Sequence, residues 1–174
     1  MIKINSNLKY PYGFLLTRER FNNIYNWREF KVKHEWNLYF SSKNEFTQQE
    51  YKGYQVIILG YFFDIRNGNL QRNSIAENLL RAINQGYNNF LNEISFLNGR
   101  YLIILAYGNV IKLFHDVCAL RSVCYHKDSL VIGSHDTLIN EAMGNKLTQK
   151  YTSPEEVSFS ANTRFENVLK LIPN

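Results

Sequence analysis

Arg100-Tyr101-Leu102-Ile103-Ile104-Leu105-Ala106-Tyr107-Gly108-Asn109-Val110-Ile111-Lys112-Leu113-Phe114-His115 decides the fold class. Two apolar runs flank a pair of turn-forming residues, which predicts strands over 100–107 and 110–115 joined by a tight hairpin. The order Gly108-Asn109 is the reverse of the favoured Asn-Gly. Downstream, 122–127 and 130–134 read as a second pair of strands about the turn Lys127-Asp128-Ser129.

Upstream the period changes. Ser74-Ile75-Ala76-Glu77 has the form of a capping box, in which the serine oxygen accepts an amide proton and Glu77 reaches back to the Ser74 amide. Ile75, Leu79 and Ile83, with Leu80 beside them, form one apolar stripe, so a helix is predicted from Ser74. Gly86 stands where a left-handed C-terminal cap is wanted. A second short helix over 87–94 would carry Phe90, Leu91 and Ile94 inward.

Nearer the N-terminus, Val56-Ile57-Ile58-Leu59 predicts a fully buried strand over 55–64, with Gly60 permitting a bulge or a close backbone approach. The alternation Val32, His34, Trp36, Leu38, Phe40 predicts a half-buried strand over 32–40, and 12–17, after Pro11, a buried one. Toward the C-terminus a helix is predicted over 136–143, ended by Gly144-Asn145, and a short helical turn at Ser153-Pro154-Glu155-Glu156. Strands, two helices, antiparallel hairpins and a further helix describe an α+β protein with mainly antiparallel sheets.

The chain has 174 residues, enough for one domain, and 45% of them are hydrophobic, 15% aromatic and 20% charged. That balance belongs to a folded globular class rather than to disordered or collagen-like chains. No apolar run approaches the roughly 18 residues needed to span a bilayer, so no membrane partner is expected. The first residues, Met1-Ile2-Lys3-Ile4-Asn5-Ser6-Asn7, lack the apolar region of a secretion signal, which makes a cytoplasmic location the default. The net charge is +5, and the densest basic stretch (Arg18, Arg20, Arg28, Lys31, Lys33) is interleaved with Glu19, Glu29 and Glu35. Mixed charge of this kind is that of a solvated face, and nucleic acid is not an expected partner. Cys118, Cys124 and the four histidines show no ligand spacing, so neither a metal site nor a disulfide framework is expected.

Four segments carry a family resemblance. Phe96-Leu97-Asn98-Gly99-Arg100-Tyr101-Leu102-Ile103-Ile104-Leu105, then Leu113-Phe114-His115-Asp116-Val117-Cys118-Ala119-Leu120-Arg121-Ser122-Val123-Cys124-Tyr125, then Leu130-Val131-Ile132-Gly133-Ser134, resemble the glutaminase half of asparagine synthases. That family reads approximately L-D-G-x-F-A-F, R-D-x-x-G-x-R-P-L-Y-Y and L-x-F-A-S-E at these places. Leu59-Gly60-Tyr61-Phe62-Phe63-Asp64 sits where the family has N-G-E-I-Y-N, and 163–174 is similar to the T-x-F-x-x-I-x-x-L-x-P-G segment leading into the synthetase half.

The resemblance implies a four-layer αββα sandwich of the N-terminal-nucleophile (Ntn) hydrolase type. Residues 1–160 would form a class II glutamine amidotransferase-like domain, and 161–174 would start a linker towards a synthetase domain outside these residues. The family activity is glutamine hydrolysis by an N-terminal Cys thiolate, with backbone and side-chain donors for the oxyanion.

This sequence departs from that pattern where the chemistry lies. Position 2 is Ile2, the oxyanion Asn is replaced by Leu59, the Asp that grips the substrate ammonium falls on Asn98, and there is no R-G-P-D segment. No catalytic residue is therefore assigned. Gly60, Tyr61, Asn98 and Gly99 would line a vestigial pocket whose ligand would be a small amide or amino acid, and Asp116 and Arg121 would hold the following loop as an ion pair. Cys118 with His115 is the remaining candidate for a thiol–base pair.

The functional expectation is a degenerate glutamine amidotransferase-like domain, a structural or regulatory partner of an ATP-dependent amide-forming domain. It needs no cofactor of its own, because ATP and Mg belong to the synthetase half. The alternatives are a ligand- or protein-binding module with no link to amide synthesis, and a divergent Ntn-type amidase.

Overall fold

The computed structural model describes residues 9–20, 27–33, 35–66, 68, 70–126 and 130–143. The hairpin that decides the fold class is present as strands β6 (Leu97–Tyr107) and β7 (Val110–His115), paired antiparallel from Leu102↔His115 to Tyr107↔Val110. Gly108 has φ of 48° and Asn109 does not share the positive φ, so glycine occupies the one position of the turn that requires it. This is the demand of a II′ turn, where Gly comes first and the Gly-Asn order is the suitable one.

The remaining elements are β1 (Phe14–Thr17), β2 (Arg28–Lys31), β3 (Asn37–Phe40), β4 (Phe46–Tyr51), β5 (Tyr54–Asp64), α1 (Arg72–Gln85), α2 (Tyr87–Ser95), β8 (Cys124–His126), β9 (Val131–Gly133) and α3 (Asp136–Ala142). The fold is mixed α+β, with two antiparallel sheets and three helices among the described residues. One sheet has the order β2-β3-β1-β9-β8 and the other β4-β5-β6-β7.

Three apolar clusters lie in series. Phe14, Leu16, Leu38, Phe40 and Ile132 of the first sheet meet Ile57, Leu59, Leu102, Ile104 and Leu113 of the second. On its other face the second sheet turns Val56, Ile58, Phe62, Tyr101, Ile103 and Leu105 toward Ile75, Leu79, Leu80, Ile83, Phe90 and Ile94 of the two long helices. Leu15, Tyr39 and Val131, on the far face of the first sheet, pack with Leu138 and Ile139 of α3. The period of two along β5 and β6 thus feeds two cores at once, which is why these strands read as continuous apolar runs. Each fully buried side chain of this size contributes roughly 1.5 to 3 kcal/mol.

Several boundaries differ from expectation. β6 begins at Leu97 because Leu97-Asn98-Gly99 continues the ladder opposite Phe62-Phe63-Asp64. The alternation over 32–40 is not one strand. β2 and β3 form a hairpin around 32–36, closed by the Val32 amide donating to the Trp36 carbonyl (2.8 Å), with Glu35 at φ 64°. All four residues of β3 are buried, because cores lie on both of its faces. β4 was not expected at all. Its sequence is polar, and it is pinned as an edge strand by Lys52 and Gly53, both at positive φ, in a two-residue turn between Tyr51 and Tyr54.

α1 starts at Arg72, with Gln71 at the cap and no side-chain cap hydrogen bond. Ser74 lies inside the first turn, and Glu77 pairs along the helix with Arg81 (3.7 Å) instead of reaching back. Arg72 itself is held by Glu45 at 2.5 Å, a tertiary contact that draws the helix start forward. Gly86 does end α1, its amide donating to Ala82 and Ile83, but with φ 144° and ψ 156° it leads straight into α2 rather than adopting a left-handed helical cap. Residues 127–129, Gly144-Asn145, the turn at 153–156 and the segment 161–174 lie outside the described residues.

Candidate functional site

The end of the sandwich where β5, β6, the start of β1 and the loop between β7 and β8 converge collects the residues singled out by sequence. Gly60 lies opposite Tyr101, and Phe62 opposite Gly99, on neighbouring strands. Both glycines have positive φ, 101° and 136°. A Cβ on Gly60 would stand 2.3 Å from the Arg100 carbonyl oxygen and 2.5 Å from Nη1 of Arg121, and one on Gly99 would stand 2.3 Å from the Tyr61 carbonyl oxygen. Glycine at these places lets the two strands and the Arg121 guanidinium approach each other.

The four residues of the proposed pocket are therefore neighbours in the ladder. Tyr61 is half exposed, with its ring 6.0 Å from that of Phe63. Asn98 is exposed and turns its Oδ1 back to accept the Gly99 amide at 2.7 Å. The Gly60 amide donates to the Glu45 carbonyl at 2.9 Å, and Leu59 is fully buried between the sheets. Neither position of the pair Leu59-Gly60 presents a free donor.

Asp116 and Arg121 build the adjoining loop, though not as the expected ion pair. No carboxylate lies within 4 Å of the Arg121 guanidinium among the described residues. The buried Asp116 carboxylate instead accepts the backbone amides of Leu120 (2.9 Å) and Arg121 (3.1 Å). Its own amide donates to the Tyr101 carbonyl at 3.2 Å. Ala119 takes φ 50°, so the backbone curls around the carboxylate and fills its acceptors before the guanidinium can.

The Arg121 guanidinium crosses to other segments, donating from Nη2 to the Tyr12 carbonyl at 2.8 Å and to Asn44 Oδ1. Its Nε is buried without a partner. Burial pushes the Arg121 pKa down to about 10, with Arg100 adding repulsion and Asp116 opposing it. Arg121 thus ties the loop to Tyr12 and Asn44 in place of the expected ion pair with Asp116.

Asn44 was missed by sequence reading. It is buried, donates from Nδ2 to the Gly13 carbonyl at 3.0 Å and ties the start of β1 to the β3–β4 connection. Its local sequence, Ser41-Ser42-Lys43-Asn44, signals only a turn. Ser134 is a second such residue. Its Oγ accepts the Phe14 amide at 3.1 Å and lies 2.8 Å from His135 Nδ1, while burial lowers the His135 pKa.

Cys118 is exposed and no hydrogen bond joins it to His115, whose Nδ1 is 2.8 Å from the Asp116 carbonyl oxygen. The structure does not bring that candidate pair together. Among the described residues no group of three or more His, Cys, Asp and Glu side chains could hold a metal ion, and no helix is long and apolar enough to cross a membrane. Two open cavities, of about 270 and 280 Å³, lie beside the long helices and include none of the four pocket residues. No protein family, curated protein or solved structure matches the chain.

Proposed function

We propose that this chain is a glutamine amidotransferase-like domain of the Ntn type that does not hydrolyse glutamine and serves as a structural or regulatory partner of an ATP-dependent, amide-forming synthetase domain. The four-layer αββα arrangement implied by the family resemblance is supported by the series of three apolar clusters, helices on sheet, sheet on sheet, and sheet on helix.

The observation that carries the non-hydrolysing part is the state of the Leu59-Gly60 pair. Acyl transfer needs preorganised donors aimed at the developing oxyanion, each worth about 2.7 to 4 kcal/mol in the transition state. Here one residue of the pair has no polar side chain and lies in the core, and the amide of the other is spent on Glu45. Asn98, in place of a carboxylate, offers no charge to a substrate ammonium, and its oxygen is engaged by Gly99. Cys118 is exposed, and no hydrogen bond joins it to His115.

Incubation of the purified protein with glutamine, followed by an assay for ammonia, tests this reading. No release above the uncatalysed background is expected. Turnover that disappears on alkylation of Cys118 overturns it and favours a divergent amidase. The partner role is tested by mixing the protein with an adenylating, amide-forming synthetase and measuring amide formation from free ammonia; an unchanged rate and no complex would remove that role.

A further inference from the structure

The two cavities beside the long helices differ in chemistry. The one that includes Arg66, Arg81 and Glu93 is charged, and its ions are paired, Arg66 with Asp64 and Glu93 and Arg81 with Glu77. The other, of about 280 Å³, lies where the end of α1 turns into α2 beside the start of β5 and the end of β6. Tyr54, Tyr87, Tyr107, Asn84, Gln85 and Gly86 line it, and no charged residue does. The Lys112 ammonium is not part of this lining and is engaged over the Tyr87 ring, 3.6 Å from its centroid.

The walls of this cavity follow from the fold. Tyr54 opens β5 and Tyr107 closes β6, and both pack half-buried against the helix-on-sheet cluster. Their ring centroids are 5.3 Å apart and the rings are inclined at 40°. Gly86 joins the two helices without a side chain, and a Cβ there would meet only Asn89 Nδ2, at 3.9 Å, so nothing crowds the turn. The side chains of Asn84 and Gln85 and the hydroxyls of Tyr54 and Tyr107 make no hydrogen bond among the described residues. Each amide and each phenol can both donate and accept, so all four groups are free to serve a ligand in place of water.

We propose that this cavity binds a small neutral sugar, the C–H face of its ring on the tyrosines and its hydroxyls bonded to Asn84 and Gln85. A sugar ring brings both complements at once, C–H groups for the electron-rich aromatic faces and hydroxyls that donate to and accept from amides. Without a charged group in the lining, an acidic or phosphorylated ligand would lose hydration and gain no counter-charge. Rings inclined at 40° form no parallel-sided slot for a planar base. The volume of about 280 Å³ is just under the roughly 300 to 1,000 Å³ of pockets for drug-sized ligands, which suits one or two sugar rings. Tyr54 stands six residues from Gly60 along β5, roughly 20 Å at the rise of a strand, so this site is separate from the one around Gly60 and independent of the amidotransferase-like reading.

Saturation-transfer difference NMR on the full chain with glucose, galactose, mannose, N-acetylglucosamine, ribose and maltose tests the proposal. At least one of these sugars is expected to receive saturation at its C–H protons. Its Kd, from titration, should rise roughly tenfold or more in Tyr107→Leu and in Asn84→Ala. Tyr107→Leu removes the ring and hydroxyl but keeps an apolar side chain on the core, and Asn84 is exposed on α1, so its replacement leaves the packing intact. Arg81→Ala, in the other cavity, should leave the Kd unchanged. Circular dichroism checks that the variants remain folded. No transfer to any sugar of the panel, a Kd unchanged in Asn84→Ala or in Tyr107→Leu, or binding lost in Arg81→Ala overturns the proposal. Tighter binding of the corresponding sugar phosphate, or of adenine or uracil, than of the neutral sugar overturns it as well.

Discussion

Gly60→Ala is the most direct test of the packing around the candidate site. The new methyl would sit 2.3 Å from the Arg100 carbonyl oxygen and 2.5 Å from Arg121 Nη1, at a φ of 101°. The first neighbour is backbone of the adjoining strand, and the second belongs to a buried side chain held by two acceptors, so neither moves aside freely. Positive φ in a residue with a Cβ costs about 1 to 2 kcal/mol. Overpacking that shifts backbone costs a further 1 to 3 kcal/mol, approximately. Gly53→Ala is the matched control, since Gly53 has φ 84° but a Cβ there would meet nothing within 4 Å, and it should show the backbone part alone. Urea unfolding followed by the fluorescence of Trp27 and Trp36 gives both values from the midpoint shift at constant slope. Gly60→Ala should exceed Gly53→Ala by roughly 1 to 3 kcal/mol. Equal losses, or a smaller loss at Gly60, would refute the argument that close approach of Arg100 and Arg121 requires glycine there.

Arg121→Lys should lower stability by about 1 to 3 kcal/mol, because one ammonium cannot serve both the Tyr12 carbonyl and Asn44 Oδ1 and leaves a buried acceptor open; thermal unfolding by circular dichroism measures it. The hydrogen-bonded guanidinium of Arg66 holds the Asp64 carboxyl below the usual carboxylate range. The stability this pair contributes is present above the unfolded pKa of about 3.9 and is lost as pH falls through the lower folded value. Acid titration of Asp64→Asn should therefore show a shallower loss of stability over that acid window than the parent protein. Leu79→Ala, at the centre of the helix-on-sheet cluster, should cost about 2 to 5 kcal/mol in urea unfolding.

The elements legible in the sequence are those whose burial follows a local period. The β6–β7 hairpin, the double-faced β5 and the stripe Ile75, Leu79, Ile83 each carry their own signal. β4 does not, because an edge strand of Thr, Gln and Glu gains its place from pairing with β5 and from the Lys52-Gly53 turn rather than from apolar alternation. The helix start at Arg72 was likewise displaced from the serine cap by the contact with Glu45, which lies far away in sequence.

Sequence alone determined the antiparallel α+β class and the two helices before the hairpin, whereas the closeness of Gly60, Tyr61, Asn98 and Gly99 was expected only from the family resemblance and follows in the structure from the pairing of strands 54–64 and 97–107. Tertiary structure alone decided how the polar groups of the site are spent. The Arg121 guanidinium passes over Asp116, five residues before it, and reaches Tyr12 and Asn44, which are 109 and 77 residues away in the chain. The physical reason is that a hydrogen bond depends on a separation of about 3 Å and on direction. Residues distant in the chain meet those conditions only after the two sheets have closed on each other, whereas apolar burial depends on a period that each segment carries by itself.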